Sequence, residues 1–193
     1  MRFLRFVFLS LVWLFLYIPL IVLLLYAFNQ SPYAATFTHV TLNWFRQLVN
    51  DTTLQHITYH SLILGFSAAS CATLIGTLTT VALYRFSFTS KYTLQQLILV
   101  LLVLPDLVLA IGFLLLFHFL HIPLGFTTLL IAHITFCLPI TFITLTSRIS
   151  IATPSMCAAA FDLGATEWQL LSTIILPLLL PAITASWLLD LAL

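Results

Sequence analysis

Five acidic residues, six histidines and three cysteines are the whole stock from which this chain could build a reactive centre. His56 and His60 stand four positions apart and His118 and His121 three apart, so each pair would share one face of a helix, as a metal requires. Neither pair has a Cys, Asp or Glu at ligand spacing, which argues against a metal centre. Cys71, Cys137 and Cys157 are scattered and imply no disulfide framework. Cysteines in apolar runs serve most often as small core residues. There is no Gly-rich loop with a lysine to hold nucleotide phosphates, and no nucleophile stands at workable spacing from a base. The chain is therefore read as non-enzymatic, with no cofactor.

Two places retain chemical interest. Asp106 follows Pro105 near the middle of a long apolar run. A carboxylate at membrane depth is costly unless it is paired or hydrated. It would either contact a cation moving along a path or act as the hydrogen-bonding partner at a Pro105 kink. The second place is the stretch from Pro154 to Pro181, where the apolar runs stop and Asp162 and Glu167 flank Gly164-Ala165. Ser155 to Leu163, with a serine cap and three consecutive alanines, predicts one short helix. Thr166 to Ile175 predicts a second, ending at Pro177. A helix-Gly-helix hairpin cannot lie in hydrocarbon, because its turn would leave backbone groups unpaired. It must protrude into water or press against a partner protein.

The surrounding elements follow from composition. With 62% hydrophobic residues, 6% charged residues and a mean hydropathy of +1.19, the chain cannot cover itself for water. It is read as all-α, a polytopic helical membrane protein in a single transmembrane domain over residues 1–193. A net charge of +1 gives no sign of nucleic-acid binding. Spans are expected at about 6–28, 58–84, 94–120, 126–147 and 178–193, the last incomplete, with the hairpin over 154–177. Arg2 and Arg5 before the first run resemble a signal peptide. The run is long enough to cross a bilayer and lacks a small-residue cleavage site, so it is taken as a retained span with a kink at Pro19. Residues 29–57 form the one long polar connection, with an interfacial helix over 42–48 and Trp44 at headgroup level. The second span is rich in small residues and reads as a packing helix. His133 is expected to bond a neighbouring helix. Placing the N-terminus in the cytoplasm leaves only Arg46 of the six basic residues outside, a clear positive-inside signal that also puts the hairpin in the cytoplasm.

Ala159-Ala160-x-x-x-Gly164-Ala165, followed by Ile174-Ile175-Leu176-Pro177, resembles the EAA loop of bacterial ABC importer permeases. Leu16-Tyr17-Ile18-Pro19, Pro105-Asp106 and His133-Ile134-Thr135-Phe136-Cys137-Leu138-Pro139 resemble the spermidine/putrescine permease subfamily in particular. The resemblance implies a type I importer permease core in the bacterial inner membrane. The hairpin would seat in a cytosolic ATPase through Ala158, Ala159, Ala160, Asp162, Gly164, Ala165 and Glu167. It also implies a dimer of that ATPase, a second permease subunit, a periplasmic polyamine-binding protein and membrane lipid as partners, and makes Asp106 a candidate on the substrate path. The sequence departs from the pattern at Ala158, where the family has glutamate, and at Phe161, a position often polar or basic. Asp190 either lines the path or marks departure from the family. The fifth span ends at Leu193, so the chain is read as truncated, with a transport-inactive remnant or a permease for another small solute as alternatives.

Overall fold

The computed structural model describes residues 2–31, 36–152 and 154–193. Residues 32–35 of the expected connection lie outside the described residues, as do the side chains of residues 2–4, Arg2 among them. The chain divides into two compact units, Met1–Tyr59 and His60–Leu193.

In the first unit, α1 (Arg2–Ala27) continues through Pro19 as one helix. Its apolar stretch Arg5–Ala27 is 23 residues long, with a mean hydropathy of 2.7 and none of it buried within the protein. Such a helix is dressed for lipid. Beyond it the chain folds back on Asn29, which is 1% exposed. The Asn29 amide donates to the Thr36 carbonyl (2.7 Å) and accepts from the Thr38 N–H (2.9 Å) and hydroxyl (3.2 Å). Its carbonyl takes the Trp44 indole N–H at 2.8 Å, so Trp44 is tied to the backbone at the start of α2 (Asn43–Asn50). The next helix, α3 (Thr52–Arg85), begins earlier than the expected 58. The Asp51 carboxylate accepts from the N–H groups of Thr53 (2.9 Å) and Leu54 (3.1 Å), a capping arrangement that fixes the start.

The second unit holds the remainder of α3 with α4 (Lys91–Val103), α5 (Asp106–Phe119), α6 (Phe126–Ile149), α7 (Pro154–Asp162), α8 (Glu167–Gln169) and α9 (Leu176–Ala192). A π-helical turn, Leu170–Ile175, joins α8 to α9. The buried face of α3 consists mainly of Ala68, Ala69, Ala72, Thr73, Gly76, Thr77 and Thr80. Small residues let neighbouring backbones approach, and Thr141 of α6 lies directly against Gly76; Cys137, Thr141, Leu145 and Ile149 of α6 are buried at four-residue intervals. Leu179, Ser186 and Asp190 of α9 are buried as well.

Two expectations change. The third span, read as one helix over 94–120, is two helices bent by 111°. Pro105 lacks an N–H and holds Leu104 extended at ψ 132°, so the helix stops at Val103 and restarts at Asp106. The hairpin's second arm does not end at Pro177. It runs on through Pro177 and Pro181 as a 26-residue apolar stretch, Glu167–Ala192. The π turn ahead of Pro177 widens the helix where the proline ring would otherwise meet the carbonyl four residues back. Among the described residues four helical stretches are long and apolar enough to cross a membrane, and α4 with α5 makes a fifth if they form one broken span.

Candidate coupling hairpin and membrane carboxylates

The hairpin closes by backbone chemistry that its sequence dictates. Pro154 opens α7 at a position where a missing N–H costs nothing. Ser155, expected to cap, therefore sits inside the first turn, and the preceding position, 153, lies outside the described residues. At the other end Gly164 adopts φ +83°, a left-handed conformation open to glycine at little cost. The Gly164 N–H then donates to the Phe161 carbonyl (2.8 Å) and the Ala165 N–H to the Ala160 carbonyl (3.0 Å), the two bonds of a Schellman turn. Thr166 caps α8 reciprocally with Gln169: the Gln169 N–H donates to the Thr166 hydroxyl (3.3 Å), and the Thr166 N–H donates to Gln169 Oε1 (2.8 Å).

The expected coupling residues fall on two sides of this hairpin. Ala160 is buried with Cys157, Ile149, Leu170, Ile175 and Leu179, and Ala165 packs against that cluster. Ala158, Ala159, Asp162, Gly164 and Glu167 face outward. Leu163, 90% exposed, and Trp168, 71% exposed, make the turn apolar. Both stand on a turn whose backbone hydrocarbon could not accommodate.

Sequence reasoning missed what anchors the hairpin. Arg85, the last residue of α3, donates to both carboxylate oxygens of Glu167 at 2.8 and 2.7 Å. Its guanidinium also lies 5.5 Å from the centre of the Phe161 ring. Phe161, a departure from the family pattern, thus takes part in a cation–π contact. Next to Arg85, the Tyr84 hydroxyl donates to the Ala152 carbonyl and ties α3 to the segment that enters α7. A basic residue ending one helix and an acidic residue opening another were the available signal.

Asp106 is exposed in the first turn of α5 rather than in mid-helix. Together with His133 it supplies the polar groups of a cleft of about 260 Å³, otherwise walled by apolar side chains such as Leu109, Phe113 and Phe136. His133 Nδ1 lies 2.9 Å from the Leu129 carbonyl of its own helix, one turn back, and not against a neighbouring helix as expected. Asp190 is 3% exposed. Its Oδ2 accepts from the Thr141 hydroxyl at 2.5 Å and the Thr73 hydroxyl at 3.3 Å, so a single carboxylate joins α9, α6 and α3. The other oxygen, Oδ1, is buried without a hydrogen-bond partner among the described residues. Trp187, one turn earlier, donates its indole N–H to the Ser70 hydroxyl at 3.1 Å and stands edge-on to Phe66. Among the described residues no three His, Cys, Asp or Glu side chains gather as a metal would need.

Residues 72–193 match the family described as binding-protein-dependent transport system inner membrane component. The spermidine/putrescine transport system permease protein PotC of Haemophilus influenzae is 42% identical over 188 residues, which is 97% of this chain and 73% of the relative. PotC of Escherichia coli K12 is 43% identical over 189 residues, 98% of this chain and 72% of the relative. The putrescine transport system permease protein PotI of E. coli K12 is 34% identical over 192 residues, 96% of this chain and 68% of the relative.

Proposed function

The chain belongs to the family of binding-protein-dependent transport system inner membrane components, and from that membership we propose that it is the transmembrane permease subunit of an ATP-driven polyamine importer. The observation that carries the substrate class is the identity of 42% and 43%, over nearly the whole chain, to permeases named for spermidine and putrescine. In this proposal the Pro154–Pro181 region couples transport to a cytosolic ATPase dimer. Gly164, Asp162, Glu167, Ala158 and Ala159 lie on the outward side, Ala160 and Ala165 seat the hairpin on the bundle, and ATP hydrolysis belongs to the partner. The exposed Leu163 and Trp168 support a protein contact there. The distribution of basic residues supports a cytoplasmic N-terminus in the bacterial inner membrane. A second permease subunit and a periplasmic polyamine-binding protein complete the assembly. Asp106, beside His133 in an apolar cleft, is the group that would meet the ammonium of a polyamine.

The test is uptake of labelled spermidine in a bacterium lacking its own polyamine importer, with the chain expressed beside its ATPase, second permease and binding protein. Uptake should be restored. Gly164→Trp should abolish both uptake and co-purification of the ATPase at an unchanged membrane level. Uptake of thiamine or an oxyanion in place of spermidine would overturn the substrate class, and an ATPase still bound to Gly164→Trp would overturn the coupling role.

A further inference from the structure

At the end of the second unit that carries the hairpin, α3 finishes, α4 begins and α6 finishes around a cleft of about 210 Å³. Thr80, Lys91, Gln95 and Thr146 give it polar groups, and Leu83 and Phe142 give it apolar wall. None of the five acidic residues of the chain lines it. Polyamine transport has no use for such a place, because Lys91 would repel a polycation.

Three features describe what the cleft would hold. The first is Thr80, which lines the cleft, is only 2% exposed, and has a buried hydroxyl with no hydrogen-bond partner among the described residues. Helical threonines commonly bond a carbonyl one turn back, as Thr77 does to Thr73 at 2.7 Å, whereas Thr80 does not. A buried hydroxyl left without a partner is costly and calls for a ligand atom that bonds it. The second is Lys91, whose ammonium reaches only the Phe86 carbonyl, at 3.4 Å, which leaves donors to spare. Lys91 is also the first residue of α4, where the helix dipole favours an anion, while its own N–H already donates to the Phe88 carbonyl at 3.1 Å. The third is the surroundings: Phe86, Phe88 and Tyr92 are 62%, 44% and 72% exposed beside Lys91. Aromatic side chains grouped with a lysine at the end of a membrane helix mark headgroup depth.

A cation, a free hydroxyl, an amide and a helix start, with no carboxylate, match the oxygens of a phosphate group. The apolar wall and the aromatic surround match a phosphate that carries acyl chains. We propose that this cleft binds the phosphate of an anionic phospholipid, seated between α3, α4 and α6. Basic pockets between membrane helices recognise anionic headgroups by this chemistry.

The experiment is native mass spectrometry and lipid titration of the whole purified chain in detergent, with phosphatidylglycerol, zwitterionic phosphatidylethanolamine and inorganic phosphate as separate probes. Phosphatidylglycerol should bind in preference to phosphatidylethanolamine. Lys91→Gln should weaken it about fivefold, the worth of one basic residue at a membrane surface, while Lys91→Arg keeps it. Thr80→Val, equal in shape but without the hydroxyl, should weaken it also. Unchanged phosphatidylglycerol affinity in both Lys91→Gln and Thr80→Val would overturn the site. Inorganic phosphate binding as tightly as phosphatidylglycerol would overturn the lipid assignment in favour of a free anion.

Discussion

Replacing Gly76 with alanine should destabilise the bundle well beyond the usual effect of so small a change. A Cβ at Gly76 would stand 2.3 Å from Thr141 Cγ2 and 2.9 Å from Thr141 Cβ, far inside the ~3.5 Å at which carbon atoms attract. Thr141 is fully buried and β-branched, so it has few rotamers to retreat into. Any retreat carries its hydroxyl away from Asp190, which it now meets at 2.5 Å. Overpacking a core costs about 1–3 kcal/mol, and leaving the buried Asp190 carboxyl one hydrogen bond short about 1–3 kcal/mol. Alanine recovers roughly 0.5–1 kcal/mol of helix propensity. The expected net loss is about 2–4 kcal/mol, or a fall in melting temperature of roughly 5–15 °C for a chain of this size. Tryptophan fluorescence on heating in nanodiscs can follow it, since Trp187 sits at the contact between α3 and α9. The companion variant is Gly76→Ala with Thr141→Ser, which removes the atom at 2.3 Å and keeps the hydroxyl. It should recover more than half of the loss. Parent-like stability of Gly76→Ala, or a double variant no better than the sum of the two singles, would refute the close approach.

Two further outcomes are expected. Arg85→Ala should lower overall stability by only about 1 kcal/mol, because Glu167 is largely exposed and its ion pair is screened. Hydrogen exchange across α7 and α8 should nevertheless quicken, and Arg85→Lys should restore protection only in part, because an ammonium lacks the planar guanidinium that lies 5.5 Å from the centre of the Phe161 ring. Gly164→Ala should cost about 1 kcal/mol from its left-handed φ alone. Nothing lies within 4 Å of the added methyl, so Gly164→Asn, which tolerates that conformation, should recover part of the loss in thermal unfolding.

What could be read in advance was local. Gly164-Ala165 specifies a turn wherever it stands after a short alanine helix, and the hairpin formed where those residues placed it. The prolines were less transparent, since a helix-breaking ring has different outcomes in different company. Pro105 breaks its helix outright, whereas Pro139 and Pro181 lie within continuous helices and Pro177 follows a π turn. Sequence shows the missing N–H in all four, but not which neighbouring helix holds the flanking turns together. Asp190 was out of reach for another reason. Its partners stand 117 and 49 positions away, at Thr73 and Thr141. A carboxylate in an apolar run announces that it needs partners without naming them. Arg85 and Glu167, 82 positions apart, show their opposite charges at helix ends in the sequence, but not that they take each other as partners.

The two carboxylates at either end of the Glu167–Ala192 stretch are held in different ways, and the difference bears on how the hairpin would move. Glu167 is held from outside, by an ion pair with a side chain that is 68% exposed on the acidic partner. Exposed pairs are worth about 0–1 kcal/mol, so a protein pressing on the hairpin can exchange that bond for one of its own at little cost. Asp190 is held from inside by two hydroxyls on two other helices. Leaving a buried carboxyl group without one of its hydrogen bonds costs about 1–3 kcal/mol, more than a single surface contact supplies. Under the proposed coupling role, force on the hairpin would therefore release Arg85 first and leave Asp190 as the fixed point about which the stretch turns. The π turn and Pro177 lie between the two holds, and both are features at which helices commonly bend. Hydrogen exchange in Arg85→Ala distinguishes this division from a rigid rod. Faster exchange confined to α7 and α8 fits a hairpin that moves against a fixed Asp190, whereas equal loss of protection around Asp190 would mean that the two ends are one unit and that no fixed point exists.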